Sequence, residues 1–153
     1  MTESSSSSSN TNSGGGSSNP PTTNTSITDA DLAFCMSETN RFRAMQGKTT
    51  LARSAALEAY GADSARIDQQ ANQAHQHYTS TNGGGVSLAE NEVLSVSPNA
   101  VSLSTQNAIQ FALSLFYSEG PGGGHFQNMM GSFSSVGCGV YRGTTITVAQ
   151  EFR

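Results

Sequence analysis

The residues of this chain best suited to chemistry near neutral pH, histidines and glutamates, fall into two short groups. In the first group, Glu119 precedes His125 by six positions, across a linker that contains Pro121 and four glycines. Pro121 ends the preceding helical pattern and the glycines permit a tight reversal, so the two side chains can face each other. A carboxylate in that position can hold an imidazole N–H in one orientation.

The second group has the opposite order, because His75 and His77 precede Glu90 and Glu92. If the glutamates lie on a strand, they share one face of it. Two plainer interpretations stay open. The histidines can be solvent-exposed residues at a helix end, where protonation is favoured, and the glutamates can be a solvated strand edge that discourages edge-to-edge pairing.

Two helices are predicted before these groups. Thr28 followed by acidic residues predicts the start of the first helix, and Gly47 predicts its end. Ser54 predicts the cap of an alanine-rich second helix that ends near Ala74. This places the first two histidines at the C-terminal end of that helix.

The remaining elements follow Gly83–Gly85. Alternating apolar residues predict a strand around Glu90, and a cap within Ser102–Ser104 predicts a strongly periodic helix that ends at Glu119. The C-terminal segments "SVGCGVY" and "TTITVAQEF" predict a β-hairpin, with glycines that let another element lie close. Helices followed by a terminal hairpin indicate an α+β domain with a small antiparallel sheet flanked by helices.

Composition divides the chain into two parts. Residues 1–27 are rich in Ser, Gly, Asn and Thr, which predicts a disordered tether, and residues 28–153 are long enough for one domain. An artificial N-terminal extension has a similar composition and stays open as an alternative. The net charge of −4, with seven scattered Lys and Arg residues, argues against a nucleic-acid partner. No apolar stretch is long enough to span a membrane, and no exposed apolar seam suggests more than a monomer.

Two cysteines, Cys35 and Cys138, are too isolated for a Cys-x-x-Cys metal or redox motif. Either a disulfide or two buried free thiols is consistent with their positions. A bridge that closes a loop of about 100 residues is worth up to about 4.7 kcal/mol in the loop-entropy model.

Four motifs together resemble the CAP superfamily, whose module is also called the SCP domain. The segment "TNRFRAMQG" resembles the family's Asn-x-x-Arg helix and its glycine stop, and "AEN" resembles its Gly-Glu-Asn. "FYSEGPGGGHFQNMM" resembles Trp-x-x-Glu followed by Gly-His-Tyr-x-x-Met, and "VGCGVY" with "TVAQEF" resembles its terminal hairpin. Thr39, Ala89 and Phe116 replace a histidine, a glycine and a tryptophan of the family. Together with the lack of multiple disulfides, these departures bring the chain closer to short bacterial members.

The resemblance implies an α-β-α sandwich, an extracellular or cell-surface location, and a cleft that holds a divalent metal in many members. Its carried-over residues are His75, His125, Glu90 and Glu119, with His77 as the alternative to His75. Zinc is the expected ion, because two imidazoles leave it open positions and two carboxylates can orient them.

Three functions remain open for such a cleft. The preferred one is a secreted or surface-tethered binding module whose partner is a small apolar ligand or a cell-envelope component. The alternative is an extracellular metal-dependent hydrolase with Glu90 or Glu119 as general base, although the chain lacks both a His-Glu-x-x-His helix and a Gly-x-Ser-x-Gly elbow. The third is a structural polar network without metal.

Overall fold

The computed structural model of the chain describes residues 26–96 and 103–153. Nearly all of the predicted tether therefore lies outside the described residues, as does Ser102 of the predicted cap. The elements in chain order are α1 (Asp29–Met45), β1 (Ala52–Arg53), α2 (Ala55–Ala71), α3 (Gln76–Thr81), a 3-10 turn (Asn82–Gly85), β2 (Ala89–Val93), α4 (Thr105–Ser118), α5 (Gly124–Met129), β3 (Ser135–Arg142) and β4 (Ile146–Phe152).

The three long helices begin at the predicted caps. Thr28 forms a capping box with Asp31, while Ser54 and Ser104 each accept a hydrogen bond from a backbone N–H in the first turn. Helix α2 ends earlier than predicted, because Asn72 adopts the left-handed conformation that Asn tolerates well. The prediction that the following histidines lie at the end of α2 is therefore wrong.

The sheet has the strand order β1-β3-β4-β2. Strands β2, β3 and β4 are antiparallel, whereas β1 pairs parallel with β3 through Ala52 and Arg53. The sequence pattern did not reveal β1, since two residues are too few to show alternation. In the described residues, no helix combines the length and apolar character needed to cross a membrane.

Each face of the sheet is covered by helices, which gives the three layers of an α-β-α sandwich and confirms the predicted α+β class. One face carries apolar side chains such as Val136, Val148 and Phe152, which form the main core with residues of α1, α4 and α5. The other face carries Gly137 and Gly139 and lies against α2.

The glycines of β3 allow α2 to approach the sheet at backbone distance. A Cβ atom on Gly139 would overlap the backbone of Gly61 in α2, and one on Gly137 would lie 2.6 Å from the backbone nitrogen of Glu58. This contact sets the height of α2 above the sheet and so the depth of the space beneath its C-terminal half.

Two cross-links fix α1 in place. A disulfide joins Cys35 of α1 to Cys138 of β3, both fully buried, so the bridged alternative is the one that the structure contains. Arg43 is buried as well, and its guanidinium donates to the carbonyl of Met129, the last residue of α5, and to that of Gly131 just beyond it. The family-like arginine thus ties α1 to the helix that carries His125.

Gly139→Ala should destabilise the fold by at least about 1–3 kcal/mol, because the added methyl group forces α2 away from the sheet. Gly122→Ala is the matched control, since a Cβ there meets open space. Urea unfolding monitored by circular dichroism measures both. Equal midpoints for the two variants would show that α2 does not depend on this contact.

Candidate metal centre

The linker between α4 and α5 brings Glu119 and His125 together. Gly120 has a φ of +70°, which turns the chain back after α4. The Nδ1 atom of His125 lies 2.6 Å from Oε1 of Glu119, and the backbone N–H of His125 donates to Oε2 at 3.1 Å. One carboxylate therefore fixes both the ring and the start of α5.

The second imidazole is held from the other helical layer. His75 lies at the start of α3 with a φ of +60°, and its Nδ1 atom is 2.8 Å from Oε1 of Glu90. Its backbone N–H donates to Oε2 of Glu92, also at 2.8 Å. The left-handed backbone at this position is held in place by these two contacts with β2.

His77, the alternative to His75, has a different environment. Its backbone N–H donates to Oδ1 of Asp68, and its ring lies against Tyr60 with 5.0 Å between ring centroids. The structure thus places His75, rather than His77, beside Glu90.

The two imidazoles lie near each other over β2. Their ring centroids are 6.1 Å apart, and the ring of Phe116 supports His125 at 4.8 Å. Two imidazoles on one tetrahedral zinc ion, with Zn–N bonds of about 2.0–2.1 Å, have centroids about 5 Å apart. The observed spacing is about 1 Å wider than that, so a shared zinc ion would draw the two rings together by about 1 Å.

The adjoining cavity has a volume of about 380 Å³ and is lined by His75, Tyr78, Leu88, Ala89, Glu90 and Asn128. Both Nδ1 atoms are occupied by carboxylates. Each ring therefore has only Nε2 to offer a metal or ligand, which is the usual arrangement of a metal-binding histidine.

A line of buried amides supports the centre from the core side. Asn91 donates to the backbone carbonyl of His125 at 2.9 Å and to the side chain of Gln150 at 3.0 Å. Gln150 in turn donates to Thr39, and Asn128 donates to Asn91. The line thus links α1, β4, β2 and α5.

Comparison with known families identifies the architecture. Residues 36–152 match the family described as CAP, the cysteine-rich secretory protein family. The chain belongs to the CAP family. Comparisons with curated proteins and with solved structures gave no match. The matched range contains both histidine–glutamate pairs and one cysteine of the disulfide.

The CAP domain also contains acidic residues near the site that the sequence motifs do not predict. His75, Glu90 and Glu92 offer ligand atoms that all lie within 4.8 Å of one another, so this His/Glu group could hold a metal ion. The sequence pattern places Glu92 on the same strand face as Glu90 and gives it no role in the site. The interpretation of a solvated strand edge is wrong, because Glu90 and Glu92 are buried. Asp68 and Glu151 are buried too, and no sequence motif predicts that either of them lies near the site.

Burial changes the acidity of these groups. Burial, together with the nearby charges of Asp68 and Glu90, raises the pKa of Glu92 to about 8. Burial and the contact with Glu90 raise the pKa of Glu151 to about 10. Burial by itself would raise the pKa of Glu90, but hydrogen bonds from His75 and Glu151 lower it below its usual value. The hydrogen bond to Glu90 in turn raises the pKa of His75.

The metal-free protein should lose stability as pH rises from about 5 to about 8. An unfolded glutamate ionises near 4.5, while folded Glu92 keeps its proton to about 8, so in this window the folded state binds more protons. Melting temperatures in EDTA measure the effect, and Glu92→Gln should flatten part of the slope. Asp63→Asn, which removes an exposed carboxylate of α2, is the control. Parallel slopes for wild type and Glu92→Gln would contradict the assignment.

Proposed function

We propose that this CAP domain is a secreted or surface-tethered binding module whose cleft holds a divalent ion, zinc, between His75 and His125. One observation carries the proposal. Each imidazole has its Nδ1 atom fixed by a carboxylate, and the centroids of the two rings lie 6.1 Å apart, with His75 lining the adjoining cavity. Glu90 and Glu119 orient the rings, and the ion keeps open positions for a ligand.

The donor set favours zinc over harder ions at this position. Imidazole nitrogen suits zinc and other late first-row metals, whereas Mg²⁺ and Ca²⁺ prefer oxygen ligands. Carboxylates behind the imidazoles increase the basicity of the rings.

The cavity supports a small ligand beside the ion. Leu88 is a large apolar side chain with 63% of its surface exposed at this cavity, and Tyr78 lies beside it. Single exposed apolar residues are common, but here one borders a polar centre in a concave site. A small apolar or cell-envelope ligand would contact Leu88 and Tyr78 and place a polar end at the ion.

The location outside the cell is supported by the family and by chemistry. The family's description is that of secretory proteins, and the buried disulfide suits an oxidising compartment. Residues 1–27 would then act as a tether for a monomeric domain over residues 28–153.

Binding is favoured over hydrolysis by the state of the carboxylates. Both oxygens of Glu119 accept hydrogen bonds from His125, and Oε1 of Glu90 accepts one from His75. A general base needs an oxygen directed at the attacking water. Glu90→Gln separates the alternatives, because a hydrolase would lose turnover, whereas a binding module would change only its metal affinity.

Calorimetric titration of zinc into chelator-treated protein tests the centre. His75→Ala and His125→Ala should each weaken zinc binding at least tenfold, because each removes a ligand. Glu119→Gln should weaken it by about 10–100-fold through loss of ring orientation.

His77→Ala is the matched control, since this ring lies against Tyr60. It should bind zinc like the wild type. Undetectable zinc binding by the wild type would leave the histidines and glutamates as a structural network, and equal losses in all three histidine variants would refute the assigned pair.

A further inference from the structure

Strand β3 has an open edge beyond its pairing with β1. Strand β1 pairs only with Ser135 and Val136 of β3, after which the chain turns into α2. In the part of the chain that the structure describes, no segment pairs with this edge of β3 from Gly137 onward. An unpaired edge presents a row of backbone N–H and C=O groups, which proteins usually cover or protect.

The alternation of hydrogen bonds shows which backbone groups face this edge. Ser135 and Arg153 exchange both backbone hydrogen bonds, at 2.8 and 3.1 Å, so Ser135 faces β4. Val136 faces the other way, because its carbonyl accepts a backbone N–H from the residue that follows β1, at 3.0 Å. The two directions alternate in an antiparallel pair, so the N–H and C=O groups of Cys138 and Val140 also point away from β4. Both residues are buried, and buried backbone groups normally have hydrogen-bond partners.

A groove of about 350 Å³ lies along these backbone groups. On one side it is bounded by Ile27 and by Leu32 of α1, and on the other side by apolar residues of α2. The α2 side consists of exposed alanines spaced by about one helical turn, which are Ala55, Ala59 and Ala62. Apolar walls with backbone hydrogen-bonding groups between them suit an extended segment that has small side chains.

The chain itself supplies a segment at this place. Residues 1–25 precede the described part, which begins at Ser26, next to Ile27 in the wall of the groove. Asp29, at the start of α1, forms an ion pair with Arg53 of β1, so the chain enters α1 at the β1 end of the groove. A segment that extends back from this point along the edge would run antiparallel to β3.

The sequence of residues 22–25, Thr-Thr-Asn-Thr, suits the groove. Threonine is β-branched and favourable in strands, and alternation would direct a threonine toward each of the two helices. Four extended residues span about 13 Å, which is the length of four residues of β3. Pro20 and Pro21 lack a backbone N–H, so they would end the pairing.

We propose that residues 22–25 bind in this groove as a fifth strand, antiparallel to β3 and hydrogen-bonded to Cys138 and Val140. Covalent attachment at Ile27 gives this segment a high effective concentration at the groove, which favours it over a peptide from another molecule. Strand β3 of a second copy would not fit, because its own edge lies between its own α1 and α2. The inference does not depend on the zinc centre.

Amide hydrogen exchange, followed by NMR in the full-length chain, tests the pairing. One of two neighbouring N–H groups must face β3, so the double variant Thr23→Pro/Asn24→Pro breaks the pairing in either register. Exchange at Cys138 and Val140 should become at least about tenfold faster, because these amides lose their acceptors. Thr11→Pro/Asn12→Pro changes an identical dipeptide outside the segment and should exchange like the wild type.

A variant of the groove tests the same contact from the other side. Ala59→Gln fills the groove, whereas Ala56→Gln changes an equally exposed residue of α2 that does not line it. Nuclear Overhauser contacts between residues 22–25 and β3 should be present in the wild type and in Ala56→Gln, and lost in Ala59→Gln.

Two results would overturn the proposal. The first is a wild type without contacts between residues 22–25 and β3. The second is equal exchange at Cys138 and Val140 in the wild type and in Thr23→Pro/Asn24→Pro. In a mixture of differently labelled chains, contacts found only between molecules would place the segment of a second copy in the groove, which would also contradict the proposal.

Discussion

The alternation of side chains along β2 is the constraint on which the centre depends. Successive residues of a strand point to opposite faces, so Glu90 and Glu92 enter the layer of α2 and α3 while Asn91 enters the layer of α4 and α5. Glu90 and Glu92 hold the ring and backbone of His75, and Asn91 holds the carbonyl of His125. Three consecutive residues at the edge of the sheet thus position two histidines from different layers.

The two layers balance buried polar groups in different ways. On the α5 side, Asn91, Gln150 and Thr39 satisfy one another, and each such bond is worth about 1 kcal/mol. On the α2 side, Glu92 and Glu151 keep their protons to unusually high pH, and Glu90 accepts hydrogen bonds from His75 and Glu151. This difference explains why the groups of unusual acidity lie on the α2 side. Their acidity follows from the placement of acidic residues beneath a helix that packs at backbone distance.

Local signals in the sequence were enough to predict much of this arrangement. Helix starts at Thr28 and Ser54 depend on a side chain and the backbone a few residues away, and the reversal before His125 depends on Pro121 and neighbouring glycines. The family resemblance, now confirmed over residues 36–152, supplied the grouping of distant segments that local patterns cannot give.

The sequence-based predictions were wrong where tertiary packing determines the local structure or the burial of a residue. Helix α2 ends earlier than predicted because one residue, Asn72, adopts the left-handed backbone conformation. His75 therefore lies at the start of α3 instead of at the end of α2. The burial of Glu92 and Glu151 depends on how closely α2 approaches the sheet, and an acidic residue in a strand looks the same in sequence whether it is solvated or covered. The parallel strand β1 was missed for a related reason, since it is defined only by its partner β3.

X-ray absorption spectroscopy of the one-to-one zinc complex would test most directly whether β2 brings the two imidazoles to one ion. The account predicts a first shell containing two imidazole nitrogens at about 2.0–2.1 Å, with the multiple-scattering pattern of histidine rings. A shell of oxygen atoms alone, or one with a single imidazole, would contradict it.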